Sequence, residues 1–340
     1  MPANFTTRGI IPLQDYQTGN TVFLDLESNN KTKIPYVKEF ISNYAISPDG
    51  KILAYKIGDP SGFSLILTDA LNNHKQVIFV RKDDFALYSW LNNQELLLRL
   101  DAHWVVFNPV TKQERSYSLT DFPDYNTDNP RNTGILVDPQ VEKAVYAHTN
   151  GTTALLDLGS QQVIAQVQDA FDRPPVAAWA MDGSEVAIVG TMATGKHASD
   201  AGDNIFEVSR NGQITQLTHL AEHYGTGFNI HSLSWSPDSR YIAFWMWYPR
   251  ASSNDWVLAI LDIATKKTTD YCLSTDPYAT NGRFVQSLSA PLWSPDGSKI
   301  LIEHRTANTA YYVVLVDVQK NIAFQFAQNM FPFGWMIKTP

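Results

Sequence analysis

The residues best suited to chemistry cluster in one short stretch, His219-Leu220-Ala221-Glu222-His223. On a helix, imidazoles four apart share a face and can hold a zinc ion, with the glutamate between them as general base. The run before it, Gln213-Ile214-Thr215-Gln216-Leu217-Thr218, alternates like a strand, and Gly225 and Gly227 follow closely. Any helix here is therefore stopped within two turns, and no third ligand on a second helix is visible. That sets a peptidase aside. A looser metal reading keeps His219, His223 and His231 as ligands of one divalent ion with Glu222 beside them, since neutral imidazoles and a carboxylate suit zinc or manganese. Its alternative is that these are solvated loop histidines and no cofactor is bound. No Gly-x-Ser-x-Gly elbow occurs to supply a nucleophile. The single cysteine, Cys272, excludes an intrachain disulfide and a cysteine-based zinc knuckle.

The elements that must position these residues repeat along the chain. Ala45 to Tyr55, Ala178 to Gly183, Ser234 to Phe244 and Leu292 to Ile302 each read as a short strand, a tight turn and a second strand. In the turn Pro presets φ, Asp bonds the backbone ahead of it and Gly takes the positive-φ position. Two degenerate copies lie between: Ser89 to Leu98 carries an Asn-Asn turn, and Leu136 to Tyr146 reverses the order to Asp-Pro. A third and fourth strand follow each copy, and four strands per repeat is one propeller blade. By this register His148 and His304 occupy equivalent positions at the ends of second strands. The repeated Asp49, Asp182, Asp238 and Asp296 are expected to cap backbone N–H groups rather than to pair as acid and base. Trp90, Trp179, Trp235 and Trp293 precede the turns and are expected to pack between blades.

The chain ends complete the count. Gly9 to Leu13, Thr21 to Leu26 and Lys33 to Val37 read as second, third and fourth strands, and Phe333 to Ile337 can supply the missing first. The predicted fold is all-β, a seven-bladed β-propeller of four antiparallel strands per blade, closed by joining N- and C-terminal strands in the last blade. Residues 1–340 are taken as one domain, with blades at 39–80, 85–119, 134–167, 176–218, 231–273, 289–327, and 331–340 plus 8–38. Six blades with an irregular N-terminal extension is the fallback.

Composition narrows the classes further. Of 340 residues, 44% are hydrophobic and 12% aromatic, enough for a large core. A net charge of −8 without basic clusters argues against nucleic acid as a partner. Met1 to Arg8 lacks a basic start followed by an apolar run, and no stretch approaches the length of a membrane span, so no direct membrane insertion is expected. The compartment reads as cytoplasmic if the chain is complete, and as periplasmic or cell-surface if a leader or anchor has been removed.

The Ser-Pro-Asp-Gly turn followed by Lys/Arg-x-Ile-Ala-Phe, carried by Ser47 to Tyr55, Ser236 to Phe244 and Ser294 to Ile302, resembles the WD40-like repeat family of TolB and of the tricorn and prolyl-oligopeptidase propellers. The resemblance implies the propeller fold over nearly the whole chain and little about function. Hydrolases of this family carry catalysis on a separate α/β domain that this chain lacks. Oligogalacturonate lyases share the repeat type and use a His-bound metal, but their ligand set finds no match here.

In a propeller, function lies on the face where second strands end and blades connect. The loops there hold Phe122, Tyr125, Arg173, Tyr224, Phe228, Trp247, Tyr248, Arg250, Tyr278, Arg283 and Phe284, the aromatic and arginine mixture of a binding patch. The competing reading is that these aromatics pack the loops onto the core. The first expectation is a non-enzymatic monomer binding a protein or peptide partner through this face and the channel mouth. Two alternatives stand beside it: a metal-dependent enzyme acting on an acidic sugar, with Lys196, Arg173, Arg250 and Arg283 as a local positive pocket, and a sensory or accessory domain of a larger membrane-anchored protein.

Overall fold

The structure is a computed structural model and describes residues 8–15, 17–33, 43–59, 62–69, 75–100, 103–125, 134–169, 175–191, 202–247, 256–275, 289–305 and 311–337. Its strands, in chain order, begin with β1 (Ile10–Asp15), β2 (Thr21–Asp25) and β3 (Lys31–Lys33). Then come β4 (Tyr44–Ile46), β5 (Ile52–Asp59), β6 (Gly62–Asp69) and β7 (Lys75–Arg81), followed by β8 (Phe85–Trp90), β9 (Leu96–Leu100), β10 (His103–Phe107) and β11 (Glu114–Ser118). The middle of the chain supplies β12 (Ile135–Val137), β13 (Lys143–His148), β14 (Thr152–Asp157) and β15 (Gln162–Gln168), then β16 (Ala177–Trp179), β17 (Glu185–Gly190), β18 (Asn204–Ser209) and β19 (Ile214–Gln216). A short helix α1 (Leu220–Tyr224) precedes β20 (Asn229–Trp235), β21 (Tyr241–Trp247), β22 (Trp256–Asp262) and β23 (Lys267–Thr275). The last strands are β24 (Leu292–Trp293), β25 (Lys299–Arg305), β26 (Tyr311–Asp317), β27 (Ile322–Gln328) and β28 (Met330–Pro332).

These strands pair into seven four-stranded antiparallel sheets: β28-β1-β2-β3, then β4–β7, β8–β11, β12–β15, β16–β19, β20–β23 and β24–β27. The fold is a seven-bladed β-propeller, and the six-bladed fallback falls. Two compact units divide the chain. One comprises Met1–Leu119, Leu292–Glu303 and Ala310–Pro340; the other comprises Thr120–Pro291 and His304–Thr309.

The tight turns form for the reason their composition suggests. In the first copy the Asp49 carboxylate accepts from Ser47 Oγ at 2.7 Å and from the Lys51 N–H at 3.2 Å, while Ser47 Oγ accepts the Ile52 N–H at 3.0 Å. Gly50 sits at φ +69 against Ile337, where a side chain would collide. Asp238 and Asp296 repeat the arrangement with Ser236 and Ser294. The aspartates are caps, as their regular spacing suggested. In the degenerate Asp-Pro copy, Asp138 is wholly buried and takes the N–H groups of Glu142 and Lys143 directly. Its second oxygen accepts from Arg210, which also reaches Gly183 O and Glu142 and so ties two neighbouring blades together.

The tryptophans join blades by one repeated contact. Within the first unit, Trp90 Nε1 donates to Ala45 O at 3.2 Å and Trp335 Nε1 to Leu292 O at 2.9 Å. Within the second, Trp179 donates to Leu136 O at 3.1 Å and Trp235 to Ala178 O at 2.8 Å. In each pair the acceptor lies on the innermost strand of the preceding blade, so one indole satisfies a polar group and fills the apolar seam at once. Trp293 is half-buried.

The closing blade differs from expectation in detail. Its inner strand is Met330–Pro332 rather than Phe333–Ile337, pairing Leu13 with Pro332, Gln14 with Phe331 and Asp15 with Met330. The ladder is then interrupted and resumes as a bridge between Ile10 and Met336, with one extra residue on the C-terminal side. Pro12 and Pro332 flank the break, and neither has an N–H to give. The chain detours through Gly334 at φ +136 before Met336 N donates to Ile10 O at 2.8 Å.

Candidate functional site

The Thr120–Pro291 unit presents one edge at which its second strands end and its third strands begin, and two aromatic wedges are built there. The first surrounds the end of β13. Phe122 is 2% exposed and packs against Tyr146 at a centroid distance of 5.6 Å, and Tyr125 stacks on Tyr146 at 6.1 Å. The Tyr146 hydroxyl donates to Pro123 O at 2.6 Å, and burial aided by the Asp124 carboxylate pushes its phenol up to about 12. It is therefore a fixed donor rather than an acid–base group at neutral pH. His148 Nδ1 accepts the Asn150 N–H at 3.3 Å, leaving Nε2 turned to Asp124 Oδ2 at 3.6 Å.

The second wedge is the connector carrying the histidine motif. Asp203, 1% exposed, takes the Ile230 N–H at 2.7 Å, and its own N–H donates to Phe228 O. Asn204 Oδ1 accepts from Thr218 Oγ1 and from the Leu220 N–H at the start of α1. These bonds seat Leu220 and Phe228 in the core, 1% and 0% exposed, and leave Tyr224 half-buried at 5.3 Å from Phe228. Helix α1 lasts five residues because Gly225 and Gly227 follow at φ +93 and +82.

The predicted metal ligands do not converge. His219 lies at the N-cap, with Nδ1 3.3 Å from Gln216 Nε2 and 3.8 Å from Glu222. His223 is exposed and edge-on to Tyr224. His231 Nδ1 meets Ser232 Oγ at 2.5 Å and its ring packs against Trp256. His304 Nδ1 is held by Ser274 O. Among the described residues no three His, Cys, Asp or Glu side chains are placed to hold a metal ion.

Of the predicted binding residues, Tyr125, Tyr224 and Trp247 are half-buried at this edge, so part of each ring reaches solvent. Phe122 and Phe228 are corrections: both are core residues that support the face and do not present on it. Backbone bonds hold both in place, with Phe122 O accepting the Tyr125 N–H and Phe228 O the Asp203 N–H. Arg173, Tyr248, Arg250, Tyr278, Arg283 and Phe284, with Lys196, lie outside the described residues. Sequence reasoning missed Tyr146, Asp203 and Asn204. The Gly202-Asp203-Asn204 run directly before a strand was the available signal, since a buried Asp-Asn pair beside a positive-φ Gly is suited to capping a neighbouring loop.

Comparison with known proteins bears on the fold. No protein-family model matches the sequence, and no curated protein matches it. Among solved structures, an oligogalacturonate lyase in complex with manganese aligns with a TM-score of 0.58 at 14% identity, over 95% of this chain and 86% of that one. The β-propeller domain of Cps50 (Swd1) from Myceliophteria thermophila aligns at 0.51 and 12% identity, over 96% and 99%. TolB from Acinetobacter baumannii aligns at 0.49 and 16% identity, over 99% of this chain and 68% of its own. With the seven four-stranded sheets, the likenesses to the lyase and to the Cps50 domain show the fold, a seven-bladed β-propeller.

Proposed function

We propose that this propeller is a non-enzymatic scaffold that takes a protein or peptide partner on the aromatic edge of its Thr120–Pro291 unit. One observation carries the reading: Tyr125 and Tyr224 are part-exposed rings standing on wholly buried ones, Tyr146 and Phe228. Rings held this way lose little side-chain freedom on binding, which is the property of interface anchors. Two titratable groups near them are taken up in structure, His148 with Asn150 and Asp203 with Ile230.

The test compares the wild-type chain with a Tyr125→Ala, Tyr224→Ala, Trp247→Ala variant as bait in quantitative affinity capture, after checking that both melt cooperatively. A partner retained by the wild type and depleted about tenfold or more on the variant supports the reading, since losing anchors of this kind costs at least about 1.4 kcal/mol. Equal capture by both overturns it. So does a stoichiometric zinc or manganese ion that survives dialysis and is lost on replacing His219 and His223, which would install the metal-dependent reading instead.

A further inference from the structure

A recess lies within the unit of Met1–Leu119, Leu292–Glu303 and Ala310–Pro340. The outer parts of the closing blade and of the β24–β27 blade leave a groove of about 730 Å³. Leu24, the β2–β3 turn residues Asn29 and Asn30, and Lys31 at the start of β3 line one wall, and Phe324 to Ala327 of β27 line the other. Phe324 and Phe326 pack their inner sides on the core cluster around Leu24, with ring centroids 6.4 Å apart at 59°. Two aromatic surfaces are thus fixed in the wall without being fully covered. Asn29 is held in the left-handed region at φ +56, which sets the turn opposite them.

The chemistry of the lining narrows the occupant. Asn29, Asn30 and Gln325 each offer a carbonyl oxygen and an NH₂ group, so each can accept and donate at once. An inorganic anion calls for several cations, and Lys31 is the one cationic side chain in this lining. A purely apolar ligand would displace water from three amides and offer them nothing in return. A pyranose ring matches both features: its hydroxyls donate and accept at neighbouring positions, and its C–H face lies against an aromatic ring. The volume falls within the usual range for small-ligand sites, roughly 300–1,000 Å³.

We propose that this outer groove binds a short oligosaccharide, with Phe324 and Phe326 as the stacking wall and Asn29, Asn30 and Gln325 as the hydroxyl readers. The assignment is independent of the partner-binding edge. The test is calorimetric titration with maltotriose, cellotriose and chitotriose, which span α-linked, β-linked and N-acetylated sugars. At least one is expected to bind saturably with a Kd below about 1 mM. An Asn30→Ala, Gln325→Ala variant, both positions exposed, is expected to keep its melting temperature and to weaken that binding about tenfold. Phe326→Leu, which retains the packing on the core, is expected to weaken it as well. No heat from any of the three sugars up to about 10 mM overturns the proposal. So does binding that the groove variants leave unchanged, or binding lost instead on Tyr125→Ala, Tyr224→Ala, Trp247→Ala.

Discussion

At the scale of single residues, one pH dependence near neutrality belongs to a carboxylate that no motif marked. Glu207 lies on β18 diagonally across from Glu185 on β17, since Ala187 is its direct partner. Burial, with the hydrogen bond and negative charge of Glu185, pushes the Glu207 carboxyl up to about 7, with Lys266 opposing. Because the folded value exceeds the ordinary 4.5, the stabilising contribution is complete below pH 4.5. It is lost as the pH rises towards about 7, where the folded protein too gives up the proton. The wild type should therefore resist denaturant better at pH 5 than at pH 8, by on the order of 1 kcal/mol once solvent screening of this part-exposed group is allowed for. Glu207→Gln should flatten that difference; an unchanged slope would assign it to other groups. Trp235 is the matching test of packing. It is 6% exposed and donates to Ala178 O, so Trp235→Ala should cost about 3–5 kcal/mol in a denaturant melt. A loss under about 1 kcal/mol would mean that the seam closes without it.

At the scale of elements, legibility followed local chemistry. The Ser-Pro-Asp-Gly turns were readable because their hydrogen bonds involve residues two to five apart, as Ser47, Asp49 and Ile52 show. Even the reversed Asp-Pro copy was placed correctly, since Asp138 serves the same N–H groups by itself. Arg210 was not legible, because its partners Asp138 and Glu142 lie some seventy residues away and only the packing of blades brings them together. The edge residues show the same limit. Tyr125, Phe122, Tyr224 and Phe228 are alike in sequence, yet Phe122 and Phe228 are core and the tyrosines are not. What separates them is loop anchoring by Asp203, Asn204 and Pro123, a long-range matter for the first two. The brevity of the helix in the histidine motif was legible for a local reason: two glycines end it after five residues.

For the whole molecule, closure through both termini was deducible from counting repeats, while the placement of the last strand was not, because Pro12 and Pro332 break its ladder. The segment past Met330 buries Phe333, Trp335 and Met336, each 5% exposed or less. Removing residues 331–340 should therefore lower the melting temperature by roughly 10 °C or more, several kcal/mol of lost burial spread over a chain of this size. An unchanged melt in differential scanning calorimetry would mean that the closing blade stands without its inner strand. The same feature bears on how the protein is made. β1, at Ile10–Asp15, leaves the ribosome roughly three hundred residues before its inner partner β28, at Met330–Pro332. At ordinary translation speeds the interval is on the order of tens of seconds. Throughout it β1 is an open strand edge, the kind that invites pairing with another nascent chain. Pro12 stands in that strand and offers no N–H to such a partner. The residue that spoils the finished ladder is thus the one that guards it during synthesis.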